Sequence, residues 1–323
     1  MRAATGRAGT HALSLLSTPL NARVLRALAQ GPQPLADLRR ITGAPPQTTM
    51  RGHLRTLTET GILLRRRQTH FPGSVDFELD RAGEELVGVA RILQQWLHRS
   101  PDEPLELGSP AAKGSIKALV DGWSSGIVRA LAAKPLSLTE LSRIIPGLSY
   151  PSLERRLGAM RFAGLIERCA GSGRGTPYAM TDWLRLAIAP LAAGARWERR
   201  YLPEQTPVIG KLDVEAAFLL TVPTLSAHPG NSGLCRLAVE SQNGSGESRL
   251  AGVMVGIEDG RVVSCVSRLD GRASSWAVGP ASGWLRAVFD GELDGLELGG
   301  EQALAGGLLE GLQGLLPRPS GGA

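Results

Sequence analysis

Two stretches of the chain, QTTMRGHLR (residues 47–55) and SYPSLERR (149–156), place hydrogen-bonding side chains at the start of amphipathic helical patterns. The first offers Gln47, Thr48, Thr49, Arg51 and Arg55; the second offers Ser149, Tyr150, Ser152, Arg155 and Arg156. Arginine can pair with the O6/N7 edge of guanine and glutamine with the N6/N7 edge of adenine, while hydroxyls bond to bases or phosphates. Arg65, Arg66 and Arg67 follow the first stretch, and Arg168 and Arg174 follow the second, where they suit phosphates or a minor groove. For either stretch alone, a solvated polar face beside a charged hairpin is the better account of the residues. Their recurrence favours recognition of a polyanion.

Other chemistry finds less support. GNSG (230–233) has the look of a serine nucleophile loop, but nothing in the sequence sets one of the five histidines and an aspartate beside it. GSGRG (171–175) joins two strand-like runs and precedes no helix, so it fails as a phosphate cradle. Cys169, Cys235 and Cys265 lack metal-ligand spacing, and any disulfide would leave one unpaired, as befits a reducing compartment. No catalysis, cofactor or metal is expected. The N-terminal apolar run is too short for a signal peptide, and LRLAIAPLAAGA is too short and too interrupted to span a bilayer. A cytoplasmic, nucleoid-associated protein without membrane contact is the expectation.

Charge is divided along the chain. Residues 1–205 carry 28 Lys and Arg against 17 Asp and Glu, whereas residues 206–323 carry 8 against 13. A basic front suits a polyanionic partner, and the acidic rear does not.

The elements that position these groups occur twice. Shifted by 103 residues, VLRALAQGPQPLADLRRI (24–41) falls on IVRALAAKPLSLTELSRI (127–144), and the register holds to Gly61 and Gly164. Beyond the next turn the offset becomes 101, bringing Trp96 onto Trp197. Each copy predicts a first helix (13–29; 116–133), a short second helix (35–42; 138–145) and a third that ends at Gly61 or Gly164. Two short strands follow (LLRRR and VDFEL; LIERC and PYAMT), then a closing helix (82–99; 183–201). Three helices, a hairpin and a closing helix make a winged helix-turn-helix.

On the third helices, Met50, Leu54 and Leu57, and likewise Leu153, Leu157 and Met160, form core stripes. The opposite arcs hold Thr48, Gly52 and Arg55 with Arg51 on the flank, and Pro151, Arg155 and Gly158 with Glu154 on the flank. A helix of this kind can lie in a major groove. Two copies in one chain could form internally the pair that a two-fold dimer forms from two chains, with the Trp96 and Trp197 helices in contact. The exchange of Arg51 for Glu154 then predicts unlike half-sites, copy one being the stronger phosphate anchor. Glu154 could accept from a cytosine amino group, although pairing with Arg155 or a helix neighbour is favoured.

The last third reads as an α+β unit. DVEAAFLLTVPTL is a helix, CRLAVES a strand, AGVMVGIEDGRVVSCVSRLD a hairpin about Asp259-Gly260, and SSWAVGP a strand. ASGWLRAVFDG is a helix, LELGG a short strand, and the chain ends on an amphipathic helix. The whole is α+β: a first winged domain at 1–100, a linker at 101–113, a second winged domain at 114–203, the last domain at 211–317 and a tail at 318–323.

LSLTELSRIIPGLSYPSLERRLGAMRFAGLIER followed by TPYAMTDWLRLAIAPLAAGARW resembles the HxlR-type branch of bacterial winged-helix transcription regulators, relatives of the MarR type. LADLRRITGAPPQTTMRGHLRTLTETGIL matches more loosely, and the two together cover about 13–201. The resemblance implies double-stranded DNA as partner and dimerisation through terminal helices. Some members sense electrophiles through a cysteine near the N-terminus, which this chain lacks. The C-terminal run from GVMVGIEDGRVV to LLEGL is similar to the sterol-carrier-protein type. That likeness implies a tunnel for a hydrophobic effector, with Trp276, Trp284, Phe289 and Leu309 as lining residues, although such aromatics more often belong to a core.

These readings converge on a sequence-specific, ligand-responsive transcription regulator that binds an asymmetric operator, able also to form a homodimer. The competing reading is a hydrophobic-ligand or lipid carrier whose winged helices bind proteins. An architectural DNA binder without an effector is a third.

Overall fold

The computed structural model describes residues 9–67, 75–122, 125–145, 147–170, 175–204, 209–242 and 248–315. Copy one runs α1 (Thr10–Ser17), α2 (Pro19–Leu28), β1 (Gln33–Pro34), α3 (Leu35–Ile41), α4 (Gln47–Glu59), β2 (Leu63–Arg67), β3 (Val75–Leu79) and α5 (Arg81–Leu97). The same order, with β1 reduced to a single antiparallel bridge between Leu136 and Tyr178, follows as α6 (Pro110–Gly122), α7 (Ser125–Ala133), α8 (Leu138–Ile144), α9 (Tyr150–Phe162), β4 (Ile166–Arg168) and β5 (Tyr178–Met180). α10 (Asp182–Leu186) and α11 (Ile188–Tyr201) complete it. The last third holds α12 (Lys211–Thr221), a 3-10 turn, β6 (Gly233–Gln242), β7 (Ser248–Glu258), β8 (Arg261–Val266) and β9 (Ser275–Pro280). α13 (Ala281–Phe289), β10 (Glu297–Gly300) and α14 (Gln302–Leu315) follow.

Three expected helices are split. Residues 13–29 break at Thr18, where Pro19 takes the first turn of α2, the one helical position that does not need its missing N–H. The 116–133 helix divides into α6 and α7, and the 183–201 helix into α10 and α11. The expected linker is partly ordered. α6 begins at Pro110, and ahead of it the Gln94 amide donates to the Leu105 carbonyl and accepts from the Leu107 amide.

The chain packs as two compact units, Met1–Val120 with Pro190–Pro207, and Asp121–Ala189 with Val208–Ala323. In the first, β1, β3 and β2 form an antiparallel sheet in that order, with Leu64 opposite Glu78 and Arg66 opposite Asp76. Asp80 caps α5 by accepting from the Arg81 amide. Gly83 then lets α5 press against the wing root, because a Cβ there would lie 2.3 Å from the Ile62 carbonyl oxygen.

Helix α11, the closing helix of copy two, belongs to this first unit. Its Gly194 lies against Gly9, where a Cβ would stand 2.8 Å from the Gly9 carbonyl oxygen. The buried Glu198 carboxylate accepts from the Gly9 and Ala12 amides, each at 2.8 Å, and so caps α1 from far along the chain. Trp197 Nε1 donates to the Ala82 carbonyl at 2.7 Å, and Arg200 pairs with Glu85 at 3.1 Å. The helices bearing Trp96 and Trp197 therefore do meet. Trp197 sits at the start of α5, however, fourteen residues and about 21 Å along the helix from Trp96.

In the second unit, Ser137 and Glu140 form a capping box at α8, and the Ser137 bonds hold the Glu140 carboxyl below its ordinary value. Strands β4 and β5 pair as a short hairpin. A five-stranded sheet follows in the order β10-β9-β6-β7-β8, with β6 and β9 parallel. Asp259 and Gly260 take positive φ, 47° and 75°, as a tight hairpin turn between β7 and β8 requires.

Cys235, Leu237, Val239, Val253, Val255 and Ala277 face one way and bury against α12, α13 and α14. Helix α12 also packs on α7. There the buried Glu215 pairs with Arg129 at 3.0 Å, and Arg185 donates to the Leu219 carbonyl. Burial raises the Glu215 carboxyl pKa, against the pull of Arg129.

Candidate nucleic-acid interface

Helix α4 is fixed from behind. Met50, Leu54 and Leu57 are at most 1 % exposed, and half-buried His53 makes a 2.8 Å hydrogen bond through Nδ1 to Asn21 Oδ1 at the start of α2. With about 100° between residues, the side chains opposite this stripe must point outward. Gln47, Thr48, Thr49, Arg51 and Arg55 are all exposed, with the small Gly52 among them. Arg55 stands 3.8 Å from Glu59, one turn on, a pair that water screens strongly.

The wing presents Arg65, Arg66 and Arg67, each exposed. Arg66 forms an ion pair with Glu78 on the neighbouring strand, so a phosphate must compete with that carboxylate. Arg65 lies across from Phe77 and Arg67 across from Val75, with no acid directly opposite either. Copy one thus exposes a recognition-type helix and, after it, a basic strand whose Arg65 and Arg67 project to one side and Arg66 to the other.

Copy two has the same scaffold with different outward chemistry. Leu153, Leu157 and Met160 are fully buried, while Ser149, Tyr150, Pro151, Glu154 and Arg155 are exposed and Ser152 is half-buried. Arg156 occupies the position of His53 and, like it, turns toward the body of the unit; it is half-buried and its Nη1 is shielded from solvent without a hydrogen-bond partner.

Glu154 forms no ion pair among the described residues, contrary to the favoured expectation. Its neighbours one turn away are Tyr150, Pro151, Leu157 and Gly158, none of them a cation. On the shorter wing, Arg168 lies 6.0 Å from the centre of the Tyr178 ring. Arg174 falls outside the described residues. Phe162, absent from the sequence-based selection, is 93 % exposed at the end of α9.

The four residues expected to line a ligand tunnel are not brought together. Trp284 and Leu309 are members of the packed core; Trp284 Nε1 donates to the Ala238 carbonyl, and its ring meets Phe218 edge-on at 4.7 Å. Phe289 is buried at the end of α13. Trp276 lies on the opposite face of the sheet, because neighbours along a strand alternate and Ser275 and Ala277 already point inward. Its ring lies over Gly299, where a Cβ would stand 2.1 Å away.

Two of the three thiols are poorly suited to sensing. Burial pushes Cys235 up to about 11 and Cys265 up to about 12, which keeps both protonated and unreactive at neutral pH. Among the described residues no group of three or more His, Cys, Asp and Glu could hold a metal, and no helix is long and apolar enough to cross a membrane.

Residues 15–103 match the HxlR-like helix-turn-helix family, a span that takes in α4, the wing and α5. No curated relative matches the chain. Among solved structures, the chain is similar to a protein described as a MarR-family transcriptional regulator from Enterococcus faecalis V583. The identity is 23 % over 27 % of this chain and 78 % of that one, with a TM-score of 0.26. The reduced form of the transcriptional regulator YodB from B. subtilis is similar at 23 % identity, over 28 % of this chain and 90 % of that one, with a TM-score of 0.27. Diamide-treated YodB gives 24 %, 28 %, 88 % and 0.26.

Proposed function

We propose that the chain is a sequence-specific, DNA-binding transcription regulator in which both copies are winged helices and act as an internal pair on an asymmetric operator. The observation that carries this reading is the helix-turn-helix match over residues 15–103, coinciding with the exposed Thr48, Arg51 and Arg55 on α4 and Arg65–Arg67 on the wing. Arg51 and Arg55 read guanine edges, Gln47 an adenine edge, and the wing arginines hold phosphates. In copy two, Ser149, Tyr150, Ser152 and Arg155 face the second half-site, with Glu154 disfavouring close phosphate approach.

Internal pairing is supported by α11. The closing helix of copy two packs with α1 and α5 of copy one, as terminal helices do in two-chain dimers of such regulators. The last third is read as a sterol-carrier-protein-like effector domain, supported by its five-stranded sheet with helices on one face. Helix α12 gives it a route to α7 and α10 through Glu215 and Leu219, so an apolar effector that shifts α12 would act on the helices that precede and follow the second helix-turn-helix and wing.

Binding of the full chain to a 30-base-pair duplex across a salt series tests the DNA reading. Affinity should fall steeply as salt rises, and Arg65→Ala and Arg67→Ala should each reduce the logarithmic slope by about one. Tight binding of an apolar ligand with salt-independent, negligible duplex affinity would instead favour the carrier reading.

A further inference from the structure

Helix α9 presents a stripe opposite its buried face that differs in kind from that of α4. Arg155, Gly158, Ala159 and Phe162 stand at i, i+3, i+4 and i+7, so they lie one above another on the side turned away from Leu153, Leu157 and Met160. Pro151 precedes them on the same side. The matching positions of α4 are Gly52, Arg55, Thr56 and Glu59, with Thr48 before them. Every polar group of the first stripe except its arginine has been exchanged for an apolar one. The single arginine has moved one turn toward the N-terminus, and Glu59 has become Phe162.

Scattered exposed hydrophobic residues are ordinary on soluble proteins, and the exposure of Phe162 alone decides nothing. Its position does. At 93 % exposure it is the last residue of α9, seven residues and about 10.5 Å beyond Arg155 on the outward pole. Gly158 and Ala159 keep the surface between them flat, and open space surrounds Gly158. A stripe with no donor or acceptor beyond Arg155 cannot recognise the polar edges of guanine, cytosine or adenine. The one apolar feature that a base presents in the major groove is the C5 methyl of thymine, which alanine and phenylalanine side chains contact.

Building on the DNA-binding reading above, we infer that copy two selects thymine in its half-site through methyl contacts of Phe162 and Ala159, while copy one selects guanine through arginine. Phe162 is then a specificity-determining residue, and the two half-sites differ in the chemistry by which they are read as well as in sequence.

Replacing thymine by deoxyuridine removes the methyl and leaves every hydrogen-bonding group in place. The test takes the duplex selected by the full-length chain and replaces its thymines by deoxyuridine one at a time, measuring affinity for wild type and for Phe162→Ala. A surface substitution of this kind should leave the fold intact, which the denaturation midpoint verifies. One or more thymines in a single half of the motif should be sensitive, each losing about fourfold in affinity for wild type. Phe162→Ala should bind the parent duplex more weakly by a similar factor and lose that sensitivity, and Phe162→Leu should recover part of it. A motif with no methyl-sensitive thymine, or sensitivity unchanged in Phe162→Ala, overturns the inference and leaves the regulator reading standing. Failure to enrich any motif removes the regulator reading and this inference with it.

Discussion

Arg51 stands on the outer flank of α4 with its side chain in solvent, so its truncation would remove the proposed base contact without disturbing the core. Arg51→Ala should cost about 1–3 kcal/mol on the preferred duplex and relax the preference at one guanine, as measured across single-base-pair variants. Arg66→Ala should weaken binding less than Arg65→Ala, because Glu78 already shares the Arg66 charge. Glu198 makes a prediction of a different kind. Burial raises its carboxyl above the ordinary 4.5, although the Ala12 and Gly9 amides pull the other way. A carboxyl raised on folding stabilises fully below its unfolded pKa, and this contribution is lost as pH rises through the folded value. Glu198→Gln, which does not titrate, should therefore lose more stability relative to wild type at pH 4 than at pH 7, in paired denaturation curves. The outward arginines could be read from helical spacing alone. Glu198 could not, since its partners at Gly9 and Ala12 lie more than 180 residues away. Phe162 was within reach: it lies opposite the core stripe on the same wheel that placed Arg155.

Among the elements, α12 carries the clearest mechanical consequence, because it serves the last domain on one side and copy two on the other. Glu215→Ala would remove the counter-charge of Arg129, whose side chain keeps some contact with solvent, and should destabilise the second unit by about 1–2 kcal/mol. Calorimetry of the full chain should show the transition of that unit falling while that of the first unit is unchanged. If α12 is the route from effector to DNA, duplexes altered in the copy-two half-site should register the same substitution most strongly. Element order was largely legible, because apolar periodicity, Gly61 and Gly164 after the third helices, and Asp259-Gly260 in the last hairpin are local signals. The break before Pro19 was also written in the sequence. The strand SWAVGP held enough alternation to send Trp276 and Ala277 to opposite faces, so grouping Trp276 with Trp284 ignored a period of two. The repeat suggests that the Trp96 and Trp197 helices meet, but the seating of α11 against α1 had no such signal, because it depends on Gly9 and Gly194 meeting across the fold.

For the whole molecule, the proposed pair of winged helices would change what one chain can recognise. A dimer of identical subunits must bind matching half-sites, whereas two copies joined in one chain are free to diverge. The differences are concentrated on the outward faces: Arg51 against Glu154, Gly52 against Arg155, Glu59 against Phe162, and a basic wing against a short one. The buried stripes, by contrast, stay aliphatic in both copies. On the proposed reading, the pair recognises unlike half-sites through one chain. Selection from a random duplex library with the full-length protein at physiological salt, with binding stoichiometry measured on the enriched duplex, tests it most directly. One chain per duplex is expected, on an asymmetric motif of about 20 base pairs whose halves lie roughly one helical turn apart. A palindrome bound by two chains, or no enrichment at all, would contradict it.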